Sequence, residues 1–285
     1  MIPASGLSKD TRLPSDAVSK SREKSRIEAA MVARSADTYA DFLLPHLQPD
    51  MIVLDLGCGQ ATISIGLSET VPNGRVVGVD IDRYDLAVGR RNAAVMDRGN
   101  LAFAAADGRR LPFGDHVFDA VLCHSVLETL SDAASVVVEL RRIIRRGGVM
   151  GAASVEYGGI IIGGAETAGP QRFYDIRQRL WRAEGIADPN TGRRLRGLLQ
   201  EAGFSRVEAS AKYISYGTKD RIIAFARDRA AECRGRWMRT LAARYGIASA
   251  EELALLAARR KSGVAILKPS SRFRGVRRWP GDDTK

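Results

Sequence analysis

Residues 51–62 leave this chain the fewest folds to choose from. A short apolar run at 51–56 ends in Gly57-Cys58-Gly59 and passes into a helix-like segment at 61–70. Apolar runs then recur at 75–79, 101–105, 117–123 and 149–155. Helical segments are expected between several of them: 82 to about 98, opened by Asp82, and 131–145, opened by Ser131 and closed by Gly147. Strand and helix in alternation demand a parallel sheet covered by helices on both faces, because a parallel crossover needs a long return path. The expected class is therefore α/β.

Before this core, Tyr39, Phe42, Leu43 and Leu47 recur at helical spacing, so a helix is expected over 35–47. Residues 1–34 read as a polar arm. After Gly158 the alternation stops. The sequence predicts an irregular, then helical, insertion at 158–186 carrying Phe173, Tyr174 and Trp181, and a helix at 192–202. A strand at 206–214 and helices at 218–231 and 249–260 follow, the first opened by Thr218, with a last strand at 263–267 ending before Pro269. The expected domain spans 35–269, with its core at 35–155 and lid-like insertions near 158–202 and 218–261. Residues 270–285 read as a basic tail.

The net charge of +11 is unevenly placed. Residues 1–150 hold 18 basic and 19 acidic groups, whereas 151–285 hold 26 and 14. Such asymmetry can mark an anionic partner, but the arginines are scattered as on solvated helix faces and no aromatic residues alternate with them as stacking platforms. A nucleic-acid partner is disfavoured on that ground, and a homodimer is compatible with the sequence. No apolar run is long enough for a bilayer and no secretory leader is apparent. Three widely spaced cysteines form neither a disulfide framework nor a zinc site, so a cytoplasmic setting without a metal is expected.

Four strand ends carry the chemistry. Gly57 and Gly59 let the backbone turn tightly and approach a ligand, and Asp55 just before them can hold an ammonium group. That carboxylate would repel a pyrophosphate, and Thr62 stands where a dinucleotide fingerprint needs Gly or Ala, so a nicotinamide cofactor is disfavoured. Asp80 ends the second strand, where a carboxylate can accept from both hydroxyls of a ribose, and Ile81 can lie on a purine face. Asp107, followed by Gly108, ends the third strand within reach of an adenine amino group. His124 ends the fourth. Together these suit one adenosyl ligand.

On these residues the chain resembles the class I S-adenosylmethionine-dependent methyltransferases, and among them the ubiquinone/menaquinone C-methyltransferase-like group. The matching stretches are Leu54-Asp55-Leu56-Gly57-Cys58-Gly59, Gly78-Val79-Asp80, Asp107-Gly108, Phe118-Asp119 and Gly147-Gly148. The likeness covers 35–155 well and continues more loosely to Phe204. It implies a Rossmann-like sheet, mostly parallel with an antiparallel last strand, and helical insertions over the active site. S-adenosyl-L-methionine is the implied cofactor, with Asp55, Gly57, Cys58 and Gly59 at its methionine end, Asp80 and Ile81 at the ribose and purine, Asp107 and Gly108 at the adenine, and His124 on the crevice floor. Ala61 replaces the usual third glycine, Arg146 a proline, and Thr129 a common histidine. A small organic acceptor is expected, methylated on O, N or C. His124 is the candidate general base, and Glu156 and Tyr157 are candidates to face the acceptor.

Overall fold

The computed structural model describes residues 34–164, 166–185, 188–258 and 265–276, with side chains of 265–271 excepted. Five parallel strands form the centre: β1 (Ile52–Leu56), β2 (Arg75–Asp80), β3 (Leu101–Ala105), β4 (Phe118–His124) and β5 (Ile144–Val155). They lie in the order β3-β2-β1-β4-β5. The strand direction reverses only at β8 (Ala265–Val276), which pairs antiparallel with β5 on one side and with β7 (Ser205–Ser215) on the other. A three-residue strand, β6 (Ile161–Gly163), prolongs the β5 side against the start of β8.

Side-chain alternation along the central strands builds two cores. Leu54, Val121 and Cys123 point to one face, where α4 (Ala133–Ile143) and α6 (Thr191–Glu201) supply Val136, Leu140, Leu195 and Leu199. Val53, Ala120 and Leu122 point to the other, against Ile65 and Leu67 of α2 (Thr62–Thr70) and Ala93 of α3 (Arg83–Val95). These strands are buried on both faces, so they read in the sequence as continuous apolar runs. Each fully buried Leu or Val side chain contributes about 1.5–3 kcal/mol.

A third core belongs to the insertions. It joins α5 (Ala168–Glu184), α7 (Lys219–Arg234), α8 (Arg236–Arg244) and α9 (Ala250–Ala258) around Tyr157, Phe173, Tyr174, Trp181, Met238 and Leu253. Tyr157 packs edge-on to Trp181 at 4.9 Å. Arg177 lies 4.4 Å over the Trp181 ring and is ion-paired with Glu232 at 3.1 Å.

The strands of the core sit within a few residues of their expected places, while several helix ends and the C-terminal region differ. The helix expected at 35–47 is only α1 (Ala36–Tyr39) followed by a 3-10 turn at Leu44–His46. Ser35 does cap α1, accepting from the Thr38 N–H at 3.2 Å, but Pro45 lacks an N–H and cannot continue a helix. Asp132, not Ser131, caps α4 by accepting from Ser135 N at 3.1 Å. That helix ends at Ile143 and runs straight into β5, so Gly147 is no helix stop. Instead β5 carries surplus residues: Phe118 pairs with Ile144, but Ala120 pairs with Val149. Gly147 takes φ +73° in that bulge, and a Cβ on Gly148 would come within 2.6 Å of Ile144 and 2.8 Å of the Asp119 carbonyl.

The last strand does not stop before Pro269, and residues 270–276, expected in a basic tail, belong to that strand. Residues 270–276 are the half of β8 that pairs with β5. Arg272 is 4% exposed there: its guanidinium donates to the Thr38 carbonyl at 2.8 Å, pairs with Asp41, and lies 5.5 Å over the Phe42 ring. Helix α8 was missed between the two expected insertion helices. No helix among the described residues is long and apolar enough to cross a membrane. The polar arm, save Arg34, and residues 277–285 of the tail lie outside the described residues.

Candidate functional site

A crevice of about 410 Å³ opens where β1 and β4 end, at the topological switch between them. Asp55, Gly57, Gly59, Thr62 and His124 line it, joined by Arg34. Gly57 and Cys58 both donate their N–H to the Val79 carbonyl, at 2.7 and 3.1 Å, which folds the turn back over β2. Gly57 has φ +74°, and a Cβ there would meet Val126 Cγ2 at 2.1 Å. Gly59 has φ +50°, and a Cβ on it would meet no protein atom within 4 Å. The turn therefore presents bare backbone to open space. Ala61 holds φ +67° at the start of α2, a left-handed conformation that costs an L-residue about 1–2 kcal/mol and that glycine would adopt freely.

Asp80 ends β2 with one carboxylate oxygen accepting from Gly59 N at 2.8 Å and the other from Asp82 N at 2.9 Å. A carboxylate oxygen has two acceptor sites, so each keeps one for a diol. Ile81 beside it is 72% exposed, an apolar surface suited to covering by a flat ring. Asp55 is buried and accepts from Ser64 Oγ at 2.6 Å. Burial pushes its carboxyl up to about 6, while the Ser64 hydroxyl and the charge of Arg34 pull it down. Burial also pushes the Cys58 thiol up, as do the nearby carboxylates, which leaves it a poor nucleophile. Gly108 packs tightly, since a Cβ there would meet Leu56 at 3.2 Å. Asp107 is gripped by Arg109, whose Nε lies 3.0 Å from it, and the guanidinium holds the carboxyl down at about 2.

The residues expected to meet the acceptor part company here. His124 is on the crevice wall, 6% exposed, its ring edge-on to Tyr39 at 5.1 Å. Glu156 is not among the crevice-lining residues. One oxygen accepts from Gly158 N at 3.1 Å and Arg193 at 2.6 Å, and the other from Arg193 N at 3.1 Å, so its carboxylate ties β5 to the start of α6. Tyr157 is buried in the aromatic core of the insertions, where burial raises its phenol. Arg34 was assigned to the arm and so missed. A lone arginine in a polar segment carries no pattern that could have singled it out.

The adenosylmethionine implied by the sequence fits this cradle. Gly59 leaves room for it, Asp80 retains acceptors for two hydroxyls, and Asp55 offers a buried anion to an ammonium group. A family model described as a methyltransferase domain matches residues 47–203, more than half of the chain. An uncharacterised methyltransferase of Schizosaccharomyces pombe is 32% identical over 121 residues, which cover 40% of this chain and 44% of that protein. The chain thus spans less than half of that relative's length. A demethylmenaquinone methyltransferase of Listeria monocytogenes is 29% identical over 61% of this chain and 76% of its own. Among solved structures, the YcgJ protein of Bacillus subtilis superposes with a TM-score of 0.57 at 16% identity, covering 84% of this chain and 97% of its own.

Proposed function

The chain belongs to the methyltransferase-domain family, and from that premise we propose that it transfers the methyl group of S-adenosyl-L-methionine to a small, partly apolar organic acceptor. The observation that carries this reading is the Gly57–Gly59 turn beside the buried Asp55 in one crevice, with Asp80 at the end of β2 accepting from the Gly59 N–H of that turn. When bound, the cofactor supplies a methyl group already activated by a positive sulfur. The protein then needs no metal or covalent nucleophile. Its residues have to hold, orient and keep water out, and positioning alone can lower a barrier by about 7–11 kcal/mol.

In this reading Asp55 holds the ammonium group and the Gly57–Gly59 backbone lets the ligand lie close. Asp80 holds the ribose hydroxyls, Ile81 covers the purine, and Asp107 with Gly108 borders the adenine. His124 is the crevice side chain that meets the acceptor. The separate aromatic core of the insertions supports a lid suited to an apolar small molecule. Tyr157, just past the end of β5, packs that lid against the sheet, and Glu156 ties β5 to α6.

The basic second half supports this reading more than a nucleic-acid one. Arg172, Arg177, Arg193, Arg229, Arg272 and Arg274 each have an acidic partner. One observation keeps a second reading in play: Arg234, Arg236 and Arg239 line a separate hollow of about 400 Å³, and none of the three is ion-paired among the described residues. An anionic macromolecule would dock there.

The test is transfer of a labelled methyl group from S-adenosyl-L-methionine into a host-cell extract separated into small-molecule, RNA and protein fractions. Label among small molecules is the expected result. Label in RNA alone would replace it with the second reading. Absence of label together with absence of cofactor binding by calorimetry would overturn both.

A further inference from the structure

Arg34 is the one guanidinium that lines the crevice among the described residues, and the side chain it hydrogen-bonds there is an imidazole. Its Nη2 lies 3.2 Å from Nδ1 of His124, and its Cζ lies 5.8 Å from the centre of the Tyr39 ring. Tyr39 in turn presses edge-on against His124, with the two rings at 80°. The imidazole is thus held between a cation at one nitrogen and an aromatic edge.

A guanidinium carries five donors, no acceptor, and keeps its proton in proteins. Its contact with Nδ1 is a hydrogen bond only if Nδ1 offers a lone pair. A neutral imidazole has one N–H, so the proton must then sit on Nε2. We infer that Arg34 is a positioning residue that fixes His124 as the Nε2–H tautomer by holding its Nδ1 lone pair, so that this histidine does not serve the crevice as a base. The general-base role expected from the sequence requires a free ring lone pair. Here the lone pair is taken up by Arg34.

The consequence for the acceptor rests on the methyl-transfer reading. With the Nδ1 lone pair of His124 held by Arg34 and that positive charge beside it, the crevice favours a nucleophile that arrives with its electron pair available, such as a phenolate or an enolate. The acceptor's pair forms the bond to the methyl carbon, the carbon–sulfur bond breaks with its pair on sulfur, and no proton has to pass to His124. An acidic hydroxylated or 1,3-dicarbonyl small molecule is the substrate class this arrangement suits. An alcohol, which must lose its proton as it reacts, is the class it does not.

The tautomer can be read without any ligand. The chain holds three histidines, His46, His116 and His124, so long-range ¹⁵N–¹H correlations of the full ligand-free protein resolve each ring, and His124→Gln assigns its signals. The expected spectrum shows His124 with a protonated Nε2 and an unprotonated Nδ1. Arg34→Met removes the donor at similar length and is expected to shift the tautomer ratio about tenfold or more, while Arg34→Lys, which keeps a charged donor, restores it. His46 and His116 should not change. A wild-type spectrum with the proton on Nδ1, or a ratio indifferent to Arg34→Met, overturns the assignment. A protein that transfers no methyl group yet shows the Nε2–H tautomer loses the functional reading and keeps this one.

Discussion

Replacing Asp55 by Asn should make the ligand-free protein more stable at neutral pH and less able to bind its cofactor. Asp55 is 2% exposed and its carboxyl is pushed from 3.8 to about 6, chiefly by burial. Because the folded value lies above the unfolded one, the folded state binds the proton more tightly. Stability therefore falls as pH rises from about 4 to about 6, and the loss is complete above that window. The spacing of the two values corresponds to about 3 kcal/mol, an upper figure because local opening and water relieve part of it. Asn keeps the size of the side chain, and its carbonyl oxygen can still accept from Ser64 Oγ, but it has no charge to desolvate. Urea unfolding of both proteins between pH 4 and 8 would measure the difference. The expected result is near-equal stability at the acid end and an advantage of about 1–3 kcal/mol for Asn above pH 6. Calorimetry of the same pair should show S-adenosyl-L-methionine bound more weakly by the variant, since the ammonium group loses its anion. A variant less stable than wild type at neutral pH, or a difference that does not vary with pH, would refute the reasoning.

Other expectations follow from the same geometry. Asp80→Asn should lower cofactor affinity about tenfold or more, read by calorimetry, since it loses charge-assisted acceptors; unchanged affinity would remove the ribose assignment. Gly57→Ala should destabilise the fold by about 2 kcal/mol or more, because φ +74° and a 2.1 Å approach to Val126 both oppose a Cβ; a melting temperature equal to wild type would show that Val126 can yield. His124→Ala should slow methyl transfer about tenfold to hundredfold while calorimetry finds cofactor affinity within a few-fold of wild type, and equal turnover would take His124 out of the chemistry. Arg272→Met should cost about 2 kcal/mol by chemical denaturation, less than a fully buried pair would, since Asp41 is part-exposed and keeps Lys212 at 3.0 Å. The loss should shrink in an Asp41→Asn background, and full additivity would mean the pair contributes nothing.

Local chemistry made much of the core legible. β1 and β4 are buried on both faces, so each appears as an apolar run whatever its neighbours are, and the glycine turn after β1 is favoured by a backbone geometry that side chains oppose. Asp82 and Thr218 cap the helices they were expected to cap, accepting from Tyr84 N and Arg221 N. Those readings need only a few adjacent residues. Helical spacing at 35–47 does not register that Pro45 cannot continue a helix, and basic composition at 270–276 does not register that Arg272 is buried. Arg272 is charged and nevertheless buried, since Asp41 and the Thr38 carbonyl, more than two hundred positions away, satisfy its guanidinium.

The sequence by itself determined the alternation of strands and helices, the turn that meets the ligand, and the acids at the strand ends, because each is a local demand of backbone geometry or charge. Only the tertiary structure decided which side chains share the crevice. Asp55 lines it and Asp80 reaches the Gly59 N–H of its turn because β1 and β2 are neighbours in register, whereas Glu156, one residue past the end of β5, is drawn away by Arg193 of α6. Arg34 reaches His124 across 90 positions. A side chain's partner is set by where the chain returns in space, and that is fixed by the packing of the whole sheet and its helices.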